Sequence, residues 1–286
     1  MNAWPIGFAF EAVVVEEGWE HPKHGDDAGR SPRGIAAARR MDRGLNTKIV
    51  SSLQPTLTHM PARTIAIGDI HGCLAALDGL LDQIELTGDD TLVVMGDMID
   101  RGPDSAGVIE RLVGLVADCR LVPLVGNHER MMLDAIRQRS SERFWLQNGG
   151  QATLASYGGS ASRIPPHHRM FFQHCQLYYE TARHFFIHAN YHPYFELPDQ
   201  PQDIALWQHI DATFPPPHQS GKTAVVGHTP QTDGLPRNGG HIVMLDTFCY
   251  GGQWLTAWDV DSDVLWQANN SGQVRTTPLP PEIDEP

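Results

Sequence analysis

Residues 91–104 read TLVVMGDMIDRGPD, a run that begins like a buried strand and ends in charge. Thr91 to Met95 are β-branched or apolar, Gly96 stops the run, and Asp97, Asp100, Arg101 and Asp104 follow at once. A carboxylate carried to the end of a buried strand is costly unless something pairs with it. The same grammar stands on either side. RTIAI (63–67) runs into GDIHG (68–72), and LVPLV (121–125) runs into GNHE (126–129). Between them, Leu74, Leu77, Leu80, Leu81 and Ile84 fall at helical spacing, and AGVIERLVGLVAD (106–118) and RMMLDAIRQR (130–139) are helical too, with Pro103 and Ser105 opening the former. Strand, polar loop and helix repeated three times predict an α/β domain with parallel strands.

Later the rhythm changes. HFFIHAN (184–190), TAVVGHTP (223–230), HIVMLDT (241–247), GGQWLTAWDV (251–260) and DVLWQA (263–268) read as strands without comparable helices between them, so the second half is richer in sheet. Residues 198–221 are a long loop with one short helix. Residues 1–60, polar and aperiodic in their middle, are expected to form a flexible arm, with Met41 or Met60 as alternative starts. The domain is then residues 61–272, and residues 273–286 are expected to be a disordered tail.

With 286 residues and 41% hydrophobic content the chain can bury a full core. A net charge of −13 argues against nucleic acid or an anionic membrane as partner. No apolar run approaches the roughly 20 residues of a membrane span, and the N-terminus makes a poor signal peptide. Cys73, Cys119, Cys175 and Cys249 form no C-x-x-C pair and are expected as reduced thiols in a cytoplasmic protein.

The strand ends release Asp69 and His71, then Asp97, then Asn127 and His128, and two later strands end in His188 and His228. In parallel α/β sheets such ends line the ligand crevice, so these distant residues can converge. Carboxylate, amide and imidazole together suit manganese, iron, zinc or cobalt better than calcium. Five ligands and a bridging carboxylate exceed one ion; two ions about 4 Å apart sharing Asp97 would use them all and offset the cost of burying it.

GDIHG, GDMIDRG, GNHE, the His188 segment and GHT, in this order, resemble the phosphoprotein-phosphatase branch of the calcineurin-like metallophosphoesterases. FWLQNGGQATLASYGG (144–159) and LDTFCYGGQWLTAWDV (245–260) are similar to its bacterial and lambda-phage members. The resemblance spans about residues 63–268. It implies a four-layer α/β/β/α sandwich of mixed sheets flanked by helices. It implies two divalent metals, manganese first, with iron, zinc, cobalt or nickel as alternatives. Asp69, His71 and Asp97 would hold one ion, and Asp97, Asn127, His188 and His228 the other. His128 would be the general acid, Asp100 its partner and Arg101 the phosphate clamp. The implied reaction is hydrolysis of a phosphate monoester by direct attack of a metal-bridging hydroxide.

The implied substrate is a serine/threonine phosphoprotein or a small phosphoester, handled by a monomer or small homo-oligomer. A symmetrical diadenosine-tetraphosphate hydrolase is the alternative within catalysis, and a catalytically weak metal-binding scaffold the alternative outside it. Asp100 and Glu129 favour the phosphatase, because the tetraphosphatase pattern has Asn before Arg-Gly and GNHD for GNHE.

The chain departs from the family where substrate should approach. ALWQHI (205–210) puts His209 where an arginine is usual, so a clamp is missing or comes from His209 or Arg237. Asn190 and Phe248 replace glycines, and Asn190 and His209 are expected to touch substrate. SGKT (220–223) lacks the upstream glycine of a P-loop, HANYH (188–192) lacks the glutamate of a zincin helix, and His167 and His168, after two prolines, are expected on an exposed loop.

Overall fold

The computed structural model describes residues 62–286; the expected arm and its alternative starts lie outside the described residues. The chain runs β1 (Thr64–Ile67), α1 (Leu74–Ile84), β2 (Thr91–Val94), α2 (Ser105–Leu115), β3 (Arg120–Pro123) and α3 (Asn127–Arg137). It continues through α4 (Arg139–Trp145), α5 (Gln151–Ser156), α6 (Pro166–Gln173), β4 (Tyr178–Glu180), β5 (His184–Ile187), α7 (Gln202–Trp207) and β6 (Thr223–Val226). It ends with β7 (Arg237–Asn238), β8 (Ile242–Met244), β9 (Leu255–Asp259), β10 (Val264–Ala268) and β11 (Val274–Pro278).

Two mixed sheets form, in the orders β11-β10-β9-β1-β2-β3 and β4-β5-β6-β8-β7. As expected, β1, β2 and β3 are parallel, with Ile65 opposite Leu92 and Leu92 opposite Leu121. Side chains alternate across a strand, and here both faces are buried. Ile65 and Ile67 of β1, Leu92 and Val94 of β2 and Ala257 of β9 pack under α1 and α2. The residues between them, Ala66, Val93 and Trp258, meet Phe186, Val225, Val243 and Leu245 of the second sheet in a core between the sheets. The outer face of the second sheet, from Phe185, Ile187, Ala224, Val226, Ile242 and Met244, is closed by Tyr191, Leu197, Ala205 and Ile210. The fourth layer is therefore α7 and its flanking loops, and the order helix, sheet, sheet, helix stands as the resemblance implies.

Two expectations are corrected. The tail is not structureless from residue 273: Val274–Pro278 pairs antiparallel with β10 along its length. Its Val-Arg-Thr-Thr run has the β-branched composition of a strand, and Arg275 fastens it by donating to Gln267 (2.8 Å) and stacking on Trp254 (4.2 Å). His167 and His168 lie in the first turn of α6, not on a loop, because Pro166 at the first helical position presets the backbone for a helix. His168 is buried there against α2.

All four cysteines are free thiols, and among the described residues no helix is long and apolar enough to cross a membrane. The C-terminal ends of β1, β2, β3, β5, β6 and β8 carry Asp69, Asp97, Asn127, His188, His228 and Asp246 respectively, so parallel strand direction delivers polar residues from both sheets to one edge of the sandwich.

Candidate active site

Each of these polar residues lies one to four residues beyond the end of its strand, where the chain changes direction. His71, Asp97, Asp100, Arg101 and His228 all adopt positive φ, from 45° to 71°. Glycines make the crossings possible: a Cβ at Gly126 would strike Asp97 Oδ1, and one at Gly227 would strike Asp69 Oδ1. The β2 turn is held by the carboxylate of Glu129. It accepts the backbone N–H groups of Asp97 (2.9 Å), Met98 (2.8 Å) and Ile99 (3.3 Å) and of Gly126 (2.9 Å), which opens α3.

Three imidazoles have their tautomers fixed by backbone carbonyls. His71 Nδ1 donates to Ile99 O (2.8 Å), His188 Nδ1 to Met95 O (2.8 Å) and His228 Nε2 to Trp207 O (3.1 Å). Burial lowers the pKa of all three, that of His228 to about 3, so the remaining ring nitrogens are bare electron pairs at neutral pH. They point inward. His71 Nε2 is 3.5 Å from Asp97 Oδ2, and His188 Nε2 is 3.4 Å from Asp97 Oδ1. Asn127 Oδ1 lies 3.1 Å from both His188 Nε2 and His228 Nδ1.

Acceptors thus face acceptors. Turning the Asn127 amide would let its nitrogen reach those two imidazoles and both Asp97 oxygens at 3.1–3.2 Å, but two amide hydrogens cannot serve four acceptors. A cation among them satisfies every one. The donor set fits divalent metal: the groups His71–Asp97–His128 and Asp97–His188–His228 each bring their ligand atoms within 4.8 Å and share Asp97. Asp69 adjoins the group, taking His228 N–H on both oxygens (3.2 and 3.0 Å). Burial, then the nearby Asp246 and Asp97, push its pKa well up, and burial pushes Asp246 to about 7; positive charge would relieve both. For Asp97, burial acts upward but His188 and the other imidazoles outweigh it, holding the carboxyl below its ordinary range.

His128 differs from the other imidazoles of this set in its partner, which is a carboxylate. Its Nδ1 is 2.7 Å from Asp100 Oδ2, while Nε2 is buried without a hydrogen-bond partner, 3.8 Å from Asp97 Oδ2. Asp100 is completely buried and held by Trp145 Nε1 (3.1 and 2.9 Å) and Thr153 Oγ1 (2.6 Å), and its own N–H donates to Thr153 Oγ1 and Ser105 Oγ. Burial depresses the His128 pKa, but Asp97 and Asp100 outweigh it, and the net shift is upward.

Arg101 is exposed at the mouth. Its Nη1 donates to His71 Nε2 (2.9 Å) and its guanidinium covers the Tyr250 ring at 4.7 Å, a cation already drawn to the acceptor cluster. The His209 ring lies 4.4 Å from that of His228. Asn190 is buried, with Oδ1 accepting its neighbour Tyr191 N–H (2.7 Å), and shares with His209 the wall of a cleft of about 440 Å³. Arg237 is paired with Asp233 (2.8 Å), whereas His209 lies against His228.

Asp69, His71, Asp97, Asp100, Arg101, Asn127, His128, His188 and His228 are therefore gathered here, with His209 against His228 and Asn190 on the wall of the cleft. Of the supporting residues, Glu129 is marked in the sequence only by its place in GNHE, and Trp145, Thr153, Asp246 and Tyr250 carry no mark of their own. Trp145 and Thr153 lie inside the FWLQNGGQATLASYGG stretch, and that likeness is the signal that could have found them.

A family model described as calcineurin-like phosphoesterase matches residues 62–262. A serine/threonine-protein phosphatase 1 of Salmonella typhimurium is 44% identical over 85 residues, 29% of this chain and 37% of that protein. A symmetrical bis(5'-nucleosyl)-tetraphosphatase of an Acidovorax species is 43% identical over 84 residues, 28% of this chain and 29% of that protein. The matched stretch thus spans about a third of these relatives' length. In fold, the chain is similar to a solved protein provisionally assigned as a diadenosine tetraphosphatase, with TM-score 0.55 and 22% identity over 77% of this chain and 95% of the other. A family match across most of the described sandwich, with the convergent Asp, Asn and His set at its edge, identifies the chain as a member of the calcineurin-like phosphoesterases.

Proposed function

We propose that the protein is a metal-dependent phosphomonoesterase of the serine/threonine protein phosphatase type, with manganese as its metal. The observation that carries the reading is His128: one ring nitrogen is locked to a buried carboxylate and the other is bare and aimed into the centre. That arrangement suits a group that donates a proton to a departing oxygen. When bound, divalent cations at Asp69, His71 and Asp97 and at Asp97, Asn127, His188 and His228 would supply charge for the phosphoryl oxygens and lower the pKa of the attacking water.

The chain's own residues do the rest. Asp100 holds the His128 ring in orientation and favours its protonated form. Arg101 offers a planar pair of donors for two phosphoryl oxygens once it leaves His71. His209 and Asn190 border the cleft through which a peptide chain would lie. Phosphorylated protein is the proposed substrate class. Symmetrical dinucleoside-polyphosphate hydrolysis is the second reading, favoured by the Acidovorax relative and by the exposed aromatic pair Phe144 and Trp207, whose ring centroids are 6.2 Å apart.

The test is a side-by-side assay with Mn²⁺ of a phosphoserine peptide, p-nitrophenyl phosphate and diadenosine tetraphosphate, each repeated with EDTA. The expected result is monoester hydrolysis abolished by chelation. Turnover that survives EDTA would end the metal-dependent reading, and turnover of the dinucleotide alone would transfer the assignment to the second.

A further inference from the structure

We propose that Glu110, His167 and His168 form a separate binding site for one borderline divalent cation, of the zinc, nickel or cobalt kind, which fastens α6 to α2. The three share no residue with the centre described above. His167 and His168 occupy the first turn of α6, directly after Pro165-Pro166, and Glu110 projects from the middle of α2. Successive helix residues diverge by about 100°, yet both imidazoles reach the same carboxylate oxygen: Glu110 Oε2 is 2.9 Å from His167 Nε2 and 2.8 Å from His168 Nε2. The three ligand atoms lie within 4.8 Å of one another.

His168 has the support expected of a ligating imidazole. Its ring is buried and its Nδ1 is 2.8 Å from the Tyr157 hydroxyl, itself buried in the same seam. Nε2–H donates to Glu110 Oε2 (2.8 Å); with an ion bound, Nδ1–H would donate to the Tyr157 oxygen and Nε2 would turn its electron pair to the metal, the pattern by which a neighbouring group fixes the tautomer of a metal-bound histidine. Burial also lowers the His168 pKa, which keeps the ring neutral.

The donor chemistry sets the ion. Two imidazoles and one carboxylate select zinc, nickel, cobalt or copper over magnesium and calcium. Zinc bonds of about 2.0–2.2 Å place tetrahedral ligands about 3.3 Å apart, so the present 2.8 and 2.9 Å contacts must open by roughly half an ångström. Glu110, with a side chain 65% exposed, and His167, at 36%, are free to move that far while His168 stays anchored. Water would complete the fourth position. Because α2 and α6 are separated by about fifty residues of chain, an ion bridging them would act on stability and leave the reaction unaffected.

The experiment counts ions on the full chain by equilibrium dialysis against Zn²⁺, for wild type, Glu110→Gln and His167→Ala. Each variant is expected to hold one Zn²⁺ fewer than wild type while its Mn²⁺-supported hydrolysis of p-nitrophenyl phosphate stays unchanged. In Mn²⁺-saturated protein, added Zn²⁺ should raise the melting temperature of wild type above that of either variant. Equal zinc counts in all three proteins would overturn the proposal and leave a hydrogen-bonded triad. The comparison is a difference, so it stands whatever the active-site centre binds, and its failure is distinct from failure of the phosphatase reading.

Discussion

Asp100→Asn separates the chemistry of the His128 pair from the structure that holds it. The completely buried carboxylate accepts from His128 Nδ1 at 2.7 Å, from Trp145 Nε1 and from Thr153 Oγ1. Asparagine has the same shape. Its oxygen can keep Trp145 and Thr153, but its amide nitrogen then faces His128 Nδ1, which must accept instead of donate. The imidazolium loses its partner. An opposite charge in contact is worth about 1–3 pKa units, so the protonated fraction at a pH above the pKa falls about 10- to 1000-fold. The sign follows from the native shift: burial lowers the His128 pKa, Asp97 and Asp100 raise it further, and the acid form persists to higher pH than in a free histidine. In the variant the high-pH limb of kcat moves down, and activity returns as pH falls. The assay is kcat against pH from about 5 to 9 with saturating Mn²⁺, on a phosphoserine peptide and on p-nitrophenyl phosphate. The peptide, whose alkoxide needs a proton, should lose the full factor; the nitrophenolate, which leaves unaided, should lose far less. Equal losses on both substrates, or an unmoved limb, would refute the acid role.

His209→Arg restores a phosphate clamp beside His228 and should lower KM for a phosphopeptide about tenfold, the worth of a charge-assisted hydrogen bond; an unchanged KM shows that the position faces elsewhere. Glu129→Gln sets an amide nitrogen against backbone N–H groups that the carboxylate now accepts, and urea unfolding should register a loss of about 3 kcal/mol. A loss below about 1 kcal/mol would mean that the β2 turn holds itself. Asp90, paired with Arg63 at 2.6 Å, has its pKa lowered to about 2: burial opposes the shift, but Arg63 outweighs it. A depressed folded pKa stabilises above the unfolded value near 4 and is lost as pH falls toward 2, a contribution of about 2 kcal/mol. The stability gap between wild type and Asp90→Asn should therefore shrink as pH falls from about 4 to about 2; a gap independent of pH excludes the linkage.

What could be read from the sequence was whatever is encoded locally. Gly-punctuated strand ends announce their cargo because the turn, the strand and the polar residue are adjacent in the chain, and that exposed Asp69, Asp97, Asn127, His188 and His228 together. The apolar run Ile65, Ala66 and Ile67 marks a short strand, though not that its inner side would meet Phe186 and Val225. Trp145 and Thr153 gave no such sign. They reach Asp100 across 45 and 53 residues, from a helical stretch interrupted at Gly149, where φ is 111°. Glu129 was visible as part of a motif, but its four backbone partners are a property of the folded turn. The β11 strand is hidden by Pro278, which ends it, and by Pro280 and Pro281 just beyond, and the helix at His167 by two successive prolines that read as a break although the second, Pro166, starts a turn.

Strain and charge at this edge act in the same direction. Eight non-glycine residues among those described have positive φ. Glu85 closes α1 and Asp263 turns the β9–β10 hairpin, where left-handed geometry is routine. The other six, His71, Asp97, Asp100, Arg101, His228 and Phe248, all lie at the catalytic edge. At about 1 kcal/mol or more each, such conformations are sustained only when their surroundings over-determine them, and their sum is comparable to the net stability of a domain. The backbone bonds to Glu129, Ile99, Met95 and Trp207 supply part of that constraint. What they leave is a ring of electron pairs and crowded carboxylates with no internal donor sufficient to satisfy them. An ion that binds only this folded arrangement stabilises it in proportion to RT ln(1 + [L]/Kd). The geometry that prepares the site for phosphate chemistry is thus the geometry that makes the fold depend on its cations, and melting temperature should climb with Mn²⁺ concentration in wild type and stay flat once Asp97 is replaced by alanine.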